Sequence, residues 1–314
     1  MLLGLFRLPR LYGAAAANTV GLRQQVRCKS DIARPGQSAS AALPLVGLRA
    51  KGLVKASFAR VGERTEPGRV FEAGGLRLRF PRGPNGCEAV LVNTAGGVAG
   101  GDHAAISLTL EAGAEVIATT QSAEKIYRAE DAESRIECAL TLGAGSRLVW
   151  APQETILFDK ARLSRRLGAD VAADASLLLI ESVVFGRLAM GETDIQARFS
   201  DHWRIRRGGR LVFAEALRID NPGATLKRPA VGRNARAIAS FLFMAPNATA
   251  PLEALRAVLE EAAAAPGEVL EAGVSALDGL IIGRALSPSP ARLRAAIVAV
   301  MMALTGRAPP RVWR

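Results

Sequence analysis

Ile106-Ser107-Leu108-Thr109-Leu110-Glu111-Ala112-Gly113-Ala114 alternates apolar and polar residues over its first five positions and then breaks in a turn of small residues. A two-residue period places every second side chain on one face, which is the pattern of a half-buried strand. The same succession recurs at Leu142-Gly143-Ala144-Gly145-Ser146 and at Val171-Ala172-Ala173-Asp174-Ala175, with 32 residues from Gly113 to Gly145 and 29 from Gly145 to Asp174. Repetition of strand pairs at this length suggests stacked β-layers, each covering the apolar face of its neighbour, in a solenoid-like or multi-sheet arrangement. The competing reading is that glycine-rich turns recur in any β protein.

Outward from these units, short segments broken by Gly, Asn, Asp and Pro continue from about residue 53 to residue 220. Leu76 to Phe80 alternates cleanly, and further strands are expected at Ala89 to Val92, Glu115 to Thr120, Arg135 to Leu142, Arg147 to Trp150, Ile156 to Phe158, Leu177 to Phe185, Trp203 to Arg206 and Leu211 to Ile219. After residue 245 the period becomes helical. Leu252, Leu255, Val258, Leu259 and Ala262 share one helix face, with Thr249 as N-cap and Pro266-Gly267 as stop. Ser289-Pro290 opens a second helix carrying Leu293, Ile297, Val300, Met301 and Leu304, closed by Gly306. The expected fold is mainly β, stacked or layered and solenoid-like, with two α-helices near the C-terminus.

The chain of 314 residues is 49% apolar, enough for a substantial core, and its 5% aromatic content argues against a stacking platform for single-stranded nucleic acid. No apolar stretch approaches the roughly 18 residues that span a bilayer. The net charge of +12 divides evenly, because residues 1–50 hold seven Lys and Arg against one acid and so contribute half of it. Residues 1–45 are rich in Arg and Ala, and their apolar run Leu2 to Phe6 is too short for a secretory core. Their composition accommodates a transit peptide, a disordered tail or an upstream start codon wrongly chosen, so the fold is read from residues 46–314 as a single domain. Cys28, Cys87 and Cys138 are odd in number and far apart, which excludes a disulfide framework and fits a reducing, cytoplasmic compartment. Only His103 and His202 are present, too few for a histidine-rich metal store.

Four constellations can carry chemistry. Asn93-Thr-Ala-Gly-Gly-Val-Ala-Gly-Gly-Asp102-His103 is glycine-dense, yet neither a following Lys-Ser/Thr nor a helix makes it a phosphate cradle; such glycines mark tight turns or close backbone approach, and Asp102 stabilises a turn or faces a ligand. Thr119 to Arg128 places Glu124 beside Lys125 and Arg128 after an apolar strand. Ala151 to Asp159 presents Gln153 and Glu154 next to Pro152, at a strand edge or bend. The fourth, Ser176-Leu-Leu-Leu-Ile-Glu181-Ser-Val-Val-Phe-Gly-Arg187, is apolar on both alternating faces and so reads as a strand buried on both sides, with Glu181 in its middle. A carboxylate there must be paired, protonated or in contact with internal water. Arg187 or another cation is the structural partner; a polar internal passage is the functional alternative.

NTAGGVAGGD at 93–102, TTQSAEKIYRA at 119–129, PQETILFD at 152–159, GRLAMGE at 186–192 and the C-terminal Leu-Thr-Gly with Pro-Arg-Val-Trp-Arg occur in order across residues 53–314. Together they resemble the urease accessory protein family UreD, also called UreH. The resemblance implies a β-rich scaffold that is not an enzyme, binds UreF and through it the GTPase UreG, docks on apo-urease and helps deliver Ni2+, carried in transit with no tightly bound cofactor. It also implies an internal water-filled channel, and matches Asp102, Glu124, Glu154 and Glu192 to the family's metal-contacting motifs. Glu181 joins that set from the burial argument alone. Dispersed carboxylates bind a divalent cation weakly enough to release it, which suits a conduit better than a store. Two other classes compete: a hydrolase using Asp102, His103 and Glu154, which has no accompanying nucleophile or cofactor motif, and a basic nucleic-acid module, against which the mixed charges speak.

Overall fold

The computed structural model describes residues 49–82 and 86–313; the basic segment 1–45, with Cys28, lies outside the described residues. A hairpin of β1 (Lys51–Val61) and β2 (Arg64–Ala73) precedes β3 (Leu76–Arg79) and β4 (Cys87–Asn93). Three coils follow. In the first, β5 (His103–Leu110) turns into β6 (Glu115–Thr120); β7 (Glu124–Ile126) leads to β8 (Ser134–Leu142), which turns into β9 (Arg147–Trp150); β10 (Thr155–Leu157) leads to β11 (Arg162–Val171), which turns into β12 (Ser176–Phe185). A hairpin of β13 (Arg198–Arg207) and β14 (Arg210–Asp220) and a one-turn helix α1 (Pro222–Thr225) lead to β15 (Ala237–Met244). Finally α2 (Leu252–Ala264) and α3 (Pro290–Thr305) flank a hairpin of β16 (Glu271–Leu277) and β17 (Leu280–Ser287).

Each coil gives its leading strand to one sheet and its trailing strand to another. The first sheet runs β14-β13-β11-β8-β5-β1-β2 and the second β16-β17-β15-β12-β9-β6-β4-β3, with β10 on β12 and β7 on β10. Hence β5, β8 and β11 are parallel neighbours, as are β6, β9 and β12. The turns that link the sheets stack in the same order: Gly113 N–H donates to Ala144 O at 2.8 Å, Gly143 N–H to Leu110 O at 2.8 Å and Ser176 N–H to Ser146 O at 2.9 Å. Gly113 and Gly145 both adopt positive φ, at 69° and 61°, which explains why glycine recurs at this corner. The repeat read from the sequence is therefore a solenoid-like coil.

The packing has three layers. Between the sheets lie two apolar clusters, one around Leu108, Leu140, Leu167, Leu179 and Trp203 and one around Ile126, Leu163, Val183 and Phe199. A third cluster joins the outer face of the second sheet to α2 and α3 through Leu178, Ile180, Leu255, Leu259, Ile297 and Val300. The two faces of β12 thus meet different cores, the physical reason its sequence shows no polar side. The first sheet keeps one face in solvent and alternates accordingly, as in the burial of β11 and β13.

Both expected helices form. Ser289 caps α3 by accepting from Arg292 N–H at 3.3 Å, Pro290 occupies its first turn, and Gly306 ends it at φ 64°. The first of them starts at Leu252, after Pro251, so Thr249 lies in the preceding turn. Between them the chain inserts the β16–β17 hairpin, which the sequence reading passed over; its turn is Asp278-Gly279, both at positive φ, a strong hairpin signal. Among the described residues no helix is long and apolar enough to cross a membrane.

Candidate functional site

Between the two inter-sheet clusters the core turns polar at a single level. On β11 the inward sequence is Leu163, Arg165, Leu167; on β12 Leu179, Glu181, Val183; on β13 Phe199, Asp201, Trp203. Arg165 and Asp201 are register partners in the first sheet, while Glu181 faces them from the second. All three are 5–6% exposed. The Arg165 guanidinium bridges the sheets: Nη1 donates to Glu181 Oε2, Nη2 to Asp201 Oδ2 at 2.6 Å and Nε to Asp201 Oδ1 at 3.1 Å. Trp150 Nε1 donates to the other Glu181 oxygen at 2.8 Å. The partner of Glu181 is thus Arg165 and not Arg187, because Arg187 follows the end of the strand and turns onto Glu192.

Charge does not balance within this triad, since two carboxylates share one guanidinium. Burial opposes the charge on Arg165, but Asp201 and Glu181 outweigh it and hold the guanidinium more firmly protonated than usual. Burial raises the Glu181 carboxyl above its ordinary range, and Asp201 pushes it further up against the pull of Arg165. Nearby Cys138 is also raised well above its ordinary value, by burial first and Glu181 second, so it remains a neutral thiol. The polar level extends sideways through Ser240 on β15, the register partner of Glu181, to Arg284 on β17 and Glu215 on β14. Arg284 Nε donates to Ser240 Oγ at 3.3 Å, and its Nη2 to the Glu215 carboxylate. Side-chain exposure rises from 5% at Glu181 to 45% at Arg284, so the layer leads from the middle of the sandwich to its open side.

The four motifs become spatial neighbours in the same order. Val98 N–H donates to Lys125 O at 2.8 Å, Glu124 N–H to Glu154 O at 2.9 Å and Gly186 N–H to Leu157 O at 2.8 Å, so residues 93–102, 124–129, 152–159 and 183–192 lie side by side. The glycine-rich loop serves close approach: Tyr127 lies where a Cβ on Gly97 would sit, and its hydroxyl donates to Gly96 O at 2.8 Å.

Within this array the remaining acids have separate partners. Asp102 accepts from the backbone of Ala50 and Ala99, each at 2.8 Å, and so stabilises its turn. Glu154 accepts from Arg294 at 2.8 and 2.9 Å, and that guanidinium lies 4.5 Å from the Trp313 ring centroid. Glu192 pairs with Arg187, whose hydrogen bonds lower the Glu192 carboxyl below its usual range. Glu124 accepts from the Asn93 amide at 3.1 Å, and burial raises its carboxyl against the pull of that bond and of Lys125. His103 pairs with Glu137 at 2.9 Å, and among the described residues no hydrogen bond joins Asp102, His103 and Glu154. Also among the described residues, no three His, Cys, Asp or Glu converge so as to hold a metal ion.

The raised Glu124 carboxyl has a measurable consequence. A carboxyl with a folded value above its unfolded one binds more protons in the folded state, so its contribution to stability falls as pH rises from about 4 through the folded value. Glu124→Gln removes that loss while an amide oxygen still accepts from Asn93. We expect the variant to melt above the parent at pH 7 and the gap to close near pH 4; a gap independent of pH contradicts the assignment.

Arg165, Asp201, Arg294 and Trp150 as a donor to Glu181 escaped the sequence reading. The first two had a signal: each interrupts an apolar face two residues from apolar neighbours on either side, as Glu181 does. Comparison with known proteins then places the chain. The model of a family described as UreD urease accessory protein matches residues 50–314. A urease accessory protein UreD of Beijerinckia indica is 49% identical over 253 residues, covering 80% of this chain and 92% of that one. A UreD of Rhodopseudomonas palustris is 45% identical over 278 residues, 88% and 97% of the two chains, and one of Xanthobacter autotrophicus 44% identical over 286 residues, 91% and 96%.

Proposed function

The chain belongs to the UreD urease accessory proteins, and on that premise we propose that it is a cytoplasmic, non-enzymatic scaffold that binds UreF, reaches the GTPase UreG through it, docks on apo-urease and assists delivery of Ni2+. The observation that carries the delivery step is the polar level between the sheets. It interrupts an otherwise apolar sandwich, holds an excess of carboxylate, and leads to an open side.

Excess negative charge in a site of low dielectric favours a passing cation, and carboxylates without imidazole or thiolate hold a divalent ion weakly enough to let it go. Glu181 and Glu124 are the stronger contacts in this reading, because Glu181 shares its guanidinium with Asp201 and the carboxylate of Glu124 takes its side-chain hydrogen bond from the neutral Asn93 amide. Asp102, Glu154 and Glu192, already engaged by backbone or guanidinium donors, are passing contacts. The buried Trp203 Nε1, two residues from Asp201, has no acceptor among the described residues and offers a hydrogen bond to water along the way.

Deleting the chain from urease-producing cells is expected to leave urease protein present but nickel-poor, read by metal analysis of the purified enzyme. Co-expression with UreF and UreG is expected to yield a complex that copurifies. Normal nickel content in the deletion strain rejects the proposal.

A further inference from the structure

Helices cover the outer face of the second sheet, whereas the outer face of the first carries charge in ordered rows. Register places Ala216, His202, Arg166, Glu137, Ala105 and Leu53 in one row across β14, β13, β11, β8, β5 and β1, and Ala214, Arg204, Gly168, Ala139, Ser107 and Lys55 in the next. Including the adjoining rows, seven exposed basic side chains, Lys51, Lys55, Arg135, Arg166, Arg204, Arg206 and Arg218, stand against Glu137 and Asp170. Between the charges the residues are mostly Gly, Ala, Ser and Thr, so the face is flat and a partner's backbone can come close.

We infer that this face docks an acidic, flat surface of a folded protein in the urease maturation assembly, a step that rests on the reading above. Charge complementarity names the partner's sign: basic residues on five of the six strands recruit and orient a surface rich in Asp and Glu. The extent fits a protein. Six strands about 4.8 Å apart and rows spanning about seven residues at roughly 3.3 Å each give on the order of 600 Å2, near the roughly 800 Å2 per partner of a standard interface. A nucleic acid fits worse, because no Phe, Tyr or Trp lies on this face of the six strands, leaving Phe71 of β2 beside Lys55 as a lone ring for stacking, and two acids stand among the bases.

Apo-urease serves as the probe, titrated onto the immobilised full chain at about 50 and 300 mM salt, with a 20-base-pair duplex DNA in parallel. Charge reversal at Arg135→Glu, Arg166→Glu and Arg204→Glu is expected to weaken apo-urease binding at least about 30-fold at the lower salt and to flatten the salt dependence, with an unchanged melting temperature. If that variant loses its fold, Lys51→Glu with Lys55→Glu at the other side of the face gives the same reading, with a loss of about 10-fold. Unchanged binding overturns the docking face and leaves the maturation reading intact. Absence of apo-urease binding by the unaltered chain overturns both, and DNA binding lost on charge reversal without apo-urease binding assigns the face to nucleic acid instead.

Discussion

Arg165→Met is expected to destabilise the protein by roughly 3–5 kcal/mol at pH 7, because it removes one partner from a buried charge cluster and leaves Glu181 and Asp201 uncompensated in the same space. For a chain of this size that corresponds to a melting temperature lower by about 5–9 °C. The deficit should shrink on acidification, since protonating the two stranded carboxylates removes their desolvation cost while the parent keeps its guanidinium clamp. Replacing all three, Arg165→Met with Glu181→Leu and Asp201→Leu, restores a continuous apolar core, and stability returns to within about 1 kcal/mol of the parent or above it. Thermal melts at pH 5 and 7 decide the matter; a single variant as stable as the parent rejects the clamp. The triple variant also separates fold from transit. If it is stable and still binds UreF but no longer supports urease activation, the polar level is used in delivery, and full activation removes Glu181 from the proposed route.

Trp313→Ala is expected to cost about 3–5 kcal/mol although it lies at the last described residue of the chain. The indole is 4% exposed and packs in the cluster between the second sheet and the helices. Its Nε1 donates to Thr119 Oγ1 at 3.0 Å and to Ala151 O at 3.2 Å, closing the sheet edge where β9 ends. Arg294 stacks on the ring while bonding Glu154, so the truncation also loosens the hold of α3 on the 152–159 loop. Trp313→Phe keeps most of the packing and loses the hydrogen bonds, and should cost about 1–2 kcal/mol. Chemical denaturation of both variants tests this; equal losses indicate that the indole hydrogen bonds, and not the ring's volume, carry the effect.

The sandwich was legible where one face of a strand met water. β5, β8 and β9 were read within a residue or three of their observed ends, because alternation and glycine corners both marked them. Some strands without that contrast, β4, β6 and β12, were read from their apolar runs, whereas β15 and β11 were lost. β15 (Ala-Ile-Ala-Ser-Phe-Leu-Phe-Met) is apolar throughout because both its faces are covered, and β11 looked too polar because its outer face carries charge while Arg165 occupies an inner position. The acid at the centre was legible from Glu181 alone, since an ionisable group in a two-sided strand demands an explanation. Its partner was not, because a guanidinium that crosses between sheets comes from a strand distant in the chain, and only the coil register brings Arg165 opposite it.

The central strands of the second sheet precede their covering helices in the chain. β12 and β15 are synthesised before α2 and α3, and at about 5–20 residues per second the wait for the last helix lasts several seconds. During that interval Leu178, Ile180 and Phe241 lack the helices that cover them in the finished fold, and a greasy plane of this kind exposes a nascent chain to aggregation until the final helix arrives.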